Sequence, residues 1–283
     1  MPLGAHMSIA GGIGNAFLRG KSVGCECIQI FTKSSNQWKA RPLAEEDIKG
    51  FKKNRKDTGV WPVVAHNSYL INLASPDNEL YEKSIDAMLI EIERAEALGL
   101  PYIIMHPGAH VGSGEDAGLA RVADALNLLF ERTKDYKVSL LLETTAGQGT
   151  VLGYRFEHIA EIIANVKNNK KVGVCLDTCH SYAAGYDIKK RYDAVFKEFD
   201  KIIGLKRLKA FHLNDTLKVL GSRVDRHWHI GKGELGLETF ERLMQDERFK
   251  ELPMILETPK GMDEDGNDMD VVNLGILRKL RRK

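Results

Sequence analysis

The sequence predicts an α/β fold, a single (β/α)8 TIM barrel spanning residues 1–283 as one domain, and three observations point to it. The apolar run Val172-Gly173-Val174-Cys175-Leu176 stops abruptly at Asp177-Thr178-Cys179-His180, as a buried strand does when its last side chains enter a site. Two other stretches repeat that order of apolar run, acid and threonine, Leu140-Leu141-Leu142-Glu143-Thr144 and Met254-Ile255-Leu256-Glu257-Thr258. Histidines close three further apolar runs, at His66, His106 and His212. The six positions are separated by 40, 37, 34, 35 and 45 residues, the scale of one βα unit with its loops. In a closed barrel every strand contributes its last residue to the same rim, so groups far apart in sequence meet. A doubly wound open sheet gathers ligands only at its switch point, and six strand ends would not converge there.

Leu3-Gly4-Ala5-His6 reads as the first strand, and Gly11, Gly12 and Gly14 open a helix running to about Val23. Cys27–Phe31 is the second strand, followed by the polar loop Thr32 to Trp38 and a charged helix from about Ala44 to Lys56. Trp38 has two readings, stacking on a base or packing beneath its own loop. Val63-Val64-Ala65 leads to His66, and an amphipathic helix follows from about Asn78 to Leu98. Tyr102–Met105 leads to His106, then a glycine-bearing loop and a helix from Asp116 to about Thr133. Strand Ser139–Glu143, loop Ala146–Gly149, helix Glu157–Val166, strand Val172–Asp177 and a helix around Tyr192–Ile203 come next. Leu208-Lys209-Ala210-Phe211 reaches His212 and gives way to the longest insertion, Leu213 to Gly236. A helix around Leu237–Gln245, strand Pro253–Glu257 and a final helix complete eight strand–helix units.

With 43% hydrophobic residues the chain can bury a large core, and no apolar run nears the length of a membrane span. No targeting segment is read at the N-terminus, so a cytoplasmic protein is expected. Cys25, Cys27, Cys175 and Cys179 have spacings that suit neither a zinc knuckle nor a secreted disulfide framework, and are read as reduced core thiols. A net charge of +2 neither demands nor excludes a nucleic-acid partner. The basic tail Arg278 to Lys283 is read as a solvated helix end.

The chemistry-bearing residues at the expected rim are His66, His106, His180, His212 and His227, with Glu143, Asp177, Asp225 and Glu257. Nine such groups are too many for one tetrahedral ion, so two or three ions are implied. Nitrogen and oxygen donors without thiolate suit Zn²⁺ best, with Mn²⁺ or Fe²⁺ possible where carboxylate dominates. Asp225 and His227 lie two apart and share one side of an extended segment, and His180 joins them from the loop after the sixth strand. Four carboxylates against three divalent ions leave the loaded site near +2, whereas an empty one would repel phosphate. Such a site can activate water and clamp both oxygens of an in-line phosphoester displacement. Arg223 and Arg226 flank these groups, and the guanidinium fork suits phosphate oxygens; the alternative is a pair of surface salt bridges. Gly231-Lys232-Gly233 offers backbone N–H groups and a cation to a phosphate backbone, or is only a turn. His6 and His110 are read as hydrogen-bonding supports of ligands and His158 as structural. Trp228 and His229 either touch phosphate or merely cover the site.

Along nearly its whole length the chain resembles the endonuclease IV type of apurinic/apyrimidinic endonuclease. The likeness is carried by Gly4-Ala5-His6, Phe31-Thr32-Lys33, the stretch from His66 to Leu73, His106-Pro107-Gly108, Glu143 to Gly149, Val174 to His180, His212-Leu213-Asn214-Asp215, Arg223 to His227 and Leu256-Glu257-Thr258. The resemblance implies three zinc ions, Mn²⁺ being possible at one, and hydrolysis of the phosphodiester 5′ to an abasic nucleotide in base excision repair, leaving a 3′-hydroxyl and a 5′-deoxyribose phosphate. It implies that His66, His106 and Glu143 hold one ion; Glu143, Asp177, His212 and Glu257 the second; and His180, Asp225 and His227 the third. Glu143 would bridge the first two ions, and a hydroxide held between them would attack phosphorus, with Glu143 and Glu257 as the catalytic carboxylates; the third ion would stabilise the departing 3′-oxygen, with no side chain as nucleophile. It further implies that mouth loops enter the minor groove of double-stranded DNA and extrude the abasic sugar, which costs least because no base is unstacked. Tyr69 and Leu70 match the inserting loop; Asn36 stands where bacterial members often carry a longer basic wedge, and Asn67 replaces a usual acid. A monomer without protein partner is expected. Two other readings remain, a metal-dependent sugar isomerase or epimerase on the same barrel and a catalytically dead DNA-binding module. The third ligand group argues against the former, which has no need of a third ion.

Overall fold

The computed structural model describes residues 1–281; Arg282 and Lys283, the end of the basic tail, lie outside the described residues. The elements follow in the order β1 (Leu3–His6), α1 (Asn15–Ser22), β2 (Cys27–Phe31), α2 (Glu45–Thr58), β3 (Val63–His66), α3 (Asn78–Leu98), β4 (Tyr102–Met105), α4 (Glu115–Arg132), β5 (Ser139–Glu143) and α5 (Phe156–Asn165). They continue with β6 (Val172–Asp177), α6 (Thr178–Ala184), α7 (Tyr192–Ile202), β7 (Leu208–His212), β8 (Asp215–Thr216), β9 (His227–Trp228), α8 (Gly236–Met244), β10 (Met254–Leu256) and α9 (Met269–Arg281). Eight strands close into a barrel in the order β1, β10, β7, β6, β5, β4, β3, β2, and every neighbouring pair is parallel. The TIM barrel expected from the sequence is therefore the fold.

Strand periodicity fixes what each strand points inward. Cys27, Val64, Ile104, Leu141, Cys175, Ala210 and Ile255 form one fully buried cluster inside the barrel. Side chains alternate with period two, so the next inward positions lie two residues on: Gln29, His66, His106, Glu143, Asp177, His212 and Glu257. On β1 the same pair of layers is Gly4 and His6. An apolar plug thus sits directly beneath a polar layer at the C-terminal ends. Outside the strands, helices bury one face each, as Leu119, Val122, Leu126 and Leu129 of α4 do at helical spacing.

Gly4 closes the inner layer. A Cβ at this position would stand 1.8 Å from the main-chain oxygen of Cys27. Because that obstacle is backbone, Gly4→Ala is expected to cost at least about 1–3 kcal/mol. Thermal melting by circular dichroism should show a fall of several degrees, and an unchanged midpoint would show that β1 can move away from β2.

The sequence reading missed two features, both beyond the barrel strands. His180 does not lie in a loop after β6 but in the first turn of α6, whose N-cap is Asp177 and whose C-terminal stop is Gly185 at φ 112°. The insertion from Leu213 to Gly236 is pinned by the antiparallel pair β8 and β9, with Asp215 opposite Trp228. All four cysteines are buried and free. Trp38 packs against the core with the Lys83 ammonium 4.4 Å from its ring centroid, the under-loop reading. Among the described residues no helix is long and apolar enough to cross a membrane.

Candidate metal centre

The polar layer brings all nine rim residues together. Donor atoms lie within 4.8 Å of one another in three groups: His66, His106 and Glu143; Glu143, Asp177, His212 and Glu257; and His180, Asp225 and His227. Glu143 belongs to the first two, and its oxygens divide between them. Oε2 faces His66 Nε2 at 3.1 Å and His106 Nε2 at 3.3 Å, while Oε1 faces His212 Nδ1 at 3.0 Å. Glu257 Oε2 lies 3.2 Å from the same His212 nitrogen. In the third group Asp225 reaches His180 Nε2 at 3.1 Å and His227 Nε2 at 3.2 Å. Ligands about 2.0–2.1 Å from a shared tetrahedral ion stand roughly 3.3 Å apart, so these separations fit common ions.

The outer ring nitrogens sharpen the case. His66 Nδ1 donates to the Asn67 carbonyl at 2.8 Å, His180 Nδ1 to Thr144 O at 2.9 Å and His227 Nδ1 to Glu257 O at 3.3 Å. His212 Nε2 donates to Gln29 Oε1 at 2.7 Å. In the neutral ring each bond leaves the opposite nitrogen as a lone pair aimed inward, which is how ligating imidazoles are oriented. The inner nitrogens of His180 and His227 then face each other at 3.2 Å with the Asp225 carboxylate beside them. Converging lone pairs repel unless a cation lies among them. Nitrogen and oxygen donors in buried surroundings suit Zn²⁺. Cys179 also approaches Asp177 and His227, but burial and then Asp177 push its thiol up to about 12, which keeps it protonated and a poor donor.

The electrostatics are those of a site with excess negative charge. Burial opposes the imidazolium of His180, yet Asp177, Asp225 and Glu143 raise it well above the ordinary value. His212 is raised likewise against burial, by Cys175, Glu257 and Glu143. Burial works against the carboxylate of Glu143, but His212 and His106 hold it well below the usual range. Burial also opposes Glu257, which His212 and His6 keep low. Asp225 is lowered to about 2 despite burial, chiefly by His180 and then His227.

Three supports escaped the sequence reading. Gln29 donates to Glu257 Oε1 at 2.6 Å while accepting from His212, so it orients two ligands. Asn214 donates to Asp177 Oδ2 at 2.8 Å and accepts from the Glu257 amide at 2.9 Å. Gln148 accepts from the Asp225 amide at 3.0 Å. Gln29 was the visible one, a lone amide at an inward position of an otherwise apolar strand. His6 meets its expectation as a support, lying 2.9 Å from Gln29 Nε2 and 3.8 Å from Glu257 Oε1. His110 does not: its Nδ1 accepts from Gly112 and Gly114 in its own loop. His158 pairs with Glu115, and His229 hydrogen-bonds Asn273.

The residues expected to meet DNA lie around the mouth. Asn36 is exposed and Leu70 half-buried, and Tyr69 is 65% exposed, its ring 5.8 Å from that of His66. Burial and then Glu257 push the Tyr69 hydroxyl up to about 12, so it is neutral. Arg226 is exposed and lines a cavity of about 300 Å³ with His106, His180 and Asp225. Arg223 is exposed with its guanidinium 4.2 Å from the Tyr154 ring centroid, in neither of the surface salt bridges the sequence allowed. Lys232 is exposed, and the amides of Lys232 and Gly233 are taken by His229 O and Asp215 Oδ2. Asp225 itself remains 42% exposed at the side chain, which leaves the third group open to a ligand.

Comparison with known proteins finds relatives along the whole chain. A family model described as xylose isomerase-like TIM barrel matches residues 17–274. The chain is 53% identical over 281 residues to the probable endonuclease 4 of Chloroflexus aggregans, covering 99% of this chain and 97% of that one. It is 51% identical over 283 residues to the probable endonuclease 4 of Geobacter sulfurreducens, covering 99% and 95%. Endonuclease IV from Thermus thermophilus superposes with a TM-score of 0.88 at 36% identity, covering 100% of this chain and 99% of that chain.

Proposed function

The chain belongs to the endonuclease IV family within the xylose isomerase-like TIM barrels, and from that membership we propose that it is a zinc-dependent DNA repair nuclease acting at abasic sites. The reaction is hydrolysis of the phosphodiester 5′ to the abasic nucleotide. Water adds to phosphorus, the P–O3′ bond breaks, and the products are a 3′-hydroxyl and a 5′-deoxyribose phosphate. The observation that carries this reading is the third group, His180 with Asp225 and His227, placed beside a pair of groups that share Glu143. A sugar isomerase on the same barrel needs one or two ions and would leave that third group without purpose.

When bound, divalent zinc lowers the pKa of water toward neutrality and offsets charge on phosphate oxygens. The protein's own part is orientation and charge. His66, His106, Glu143, Asp177, His180, His212, Asp225, His227 and Glu257 would hold three ions, with Mn²⁺ able to replace zinc at one. Glu143 would serve two of them, and Glu257 would complete the second while Gln29 fixes its angle. Arg226 extends cation character to the mouth beside the third group, where a phosphate would enter. Arg223, Lys232 and Asn36 would meet the sugar–phosphate backbone, and Tyr69 and Leu70 would enter the minor groove. All nine proposed ligands come from one chain, so one domain acting as a monomer suffices.

The test is incubation with a duplex bearing one abasic site, with and without chelator, and identification of both new ends. Cleavage that survives exhaustive chelation would sink the metal-dependent reading. Tyr69→Ala should weaken duplex binding by roughly tenfold, the scale of one lost stacking contact. Its zinc content should stay at the wild-type level, and a matching loss of zinc would make Tyr69 a support of the site instead.

A further inference from the structure

Two loops carry residues proposed to meet DNA, and one buried carboxylate holds both. Asn36 lies in the loop between β2 and α2, Tyr69 and Leu70 in the loop between β3 and α3. Glu91, on α3 and 1% exposed, accepts the Ser68 amide at 2.9 Å and pairs with Lys33 Nζ at 3.3 Å through the same oxygen, Oε1. Lys33 is buried too and donates to the Gln37 carbonyl at 2.6 Å, closing the first loop on itself. Above the pair, Ser68 Oγ donates to Ser35 O at 2.5 Å and joins the loops directly. Arg94, one helical turn on, donates to Thr32 O at 3.0 Å and Arg41 O at 2.8 Å.

A buried ion pair is a poor device for stability, because desolvating both charges consumes most of their attraction and an apolar pair of the same volume does as well. Such pairs are better at fixing geometry. This one joins three segments at a single oxygen, and two of those segments bear the exposed side chains at the mouth. Lys33 is also diverted from solvent, so it serves the joint and not a phosphate.

We infer that Glu91 and Lys33 are positioning residues that make the Asn36 loop and the Tyr69 loop one rigid DNA-gripping unit, so that neither engages a duplex without the other. This rests on the proposed abasic-site activity. It predicts a loss of affinity without a loss of chemistry, since neither residue approaches the nine rim ligands through a hydrogen bond or ion pair described for it.

The test uses zinc-loaded full-length protein and two readouts: Kd for an abasic duplex with a non-hydrolysable linkage, and the cleavage rate on saturating cleavable duplex. Glu91→Gln and Lys33→Met should each raise Kd by about tenfold, with the saturated rate within about twofold of wild type and zinc content unchanged. The double variant should bind no worse than the weaker single one, because both changes cut one joint. Should the buried variants fail to fold, Ser68→Ala carries the test, cutting the Ser68–Ser35 link at the loops themselves, with a rise in Kd of about threefold expected. Wild-type affinity in the folded variants would overturn the inference, as would a saturated rate or zinc content falling as far as affinity. If wild-type protein fails to cleave an abasic duplex, the proposed function falls and the inference with it. If wild type cleaves and the variants bind normally, only the inference falls.

Discussion

Glu143→Ala is expected to abolish cleavage of an abasic duplex while the barrel stays folded. Loss of a single preorganised group that stabilises transition-state charge costs about 10²–10³ in rate, and Glu143 presents one oxygen to His66 and His106 and the other to His212. Two of the three groups would lose a ligand at once, so a fall of at least ~10³-fold is expected. Zinc content measured by elemental analysis should drop by more than one ion per chain. The fold should survive because the supporting layer beneath, with Leu141 inward on the same strand, is wholly apolar and untouched. Activity retained in this variant would refute the assignment of Glu143 as a shared ligand.

Stripping the protein with chelator is expected to remove activity completely, with recovery on adding Zn²⁺, and to lower the melting temperature. Anything bound only by the native state stabilises it in proportion to RT ln(1 + [L]/Kd), about 4 kcal/mol at a thousandfold excess over Kd. The accompanying proton traffic follows from the raised His180 and His212. Both are raised in the metal-free fold, so the stability they contribute there is fully present below the ordinary imidazole value and is lost as pH rises through their raised values. Glu143 and Glu257 behave oppositely: held low, they contribute above the ordinary carboxylate value and lose that contribution only in strong acid. The stripped protein should therefore be most stable in mildly acidic solution. Zinc must displace the imidazole protons, so its apparent affinity should climb between pH 5 and pH 8, by up to about tenfold per pH unit for each proton released. A zinc affinity independent of pH over that range would contradict the ligation by His180 and His212.

The barrel and the candidate ligands were legible because period-two alternation and abrupt strand ends are local signals. Val172 to Asp177 displays both within six residues, and the strand there has those same bounds. What went unread depends on groups distant in sequence or on short elements. Helix α6 covers only seven residues, too few for an amphipathic pattern, although its N-cap Asp177 and its stop at Gly185 were both visible in the sequence. The β8–β9 pair has two residues per strand and carries no periodicity at all. Gln148 and Asn214 support ligands 77 and 43 residues away, a relation no window of sequence contains. The fate of Arg223 likewise depended on Tyr154, which only the folded insertion brings beneath it.

The carbonyl anchors of His66, His180 and His227 have a bearing on how this centre can drift over time. A main-chain oxygen is present whatever amino acid occupies the residue, so mutation at Asn67, Thr144 or Glu257 cannot delete the anchor of the neighbouring imidazole. The aim of His66 therefore does not depend on the side chain carried at position 67. A displacement of the chain trace would spoil that alignment, whereas a change of side chain at Asn67 leaves the carbonyl, and with it the ring's direction, where it is.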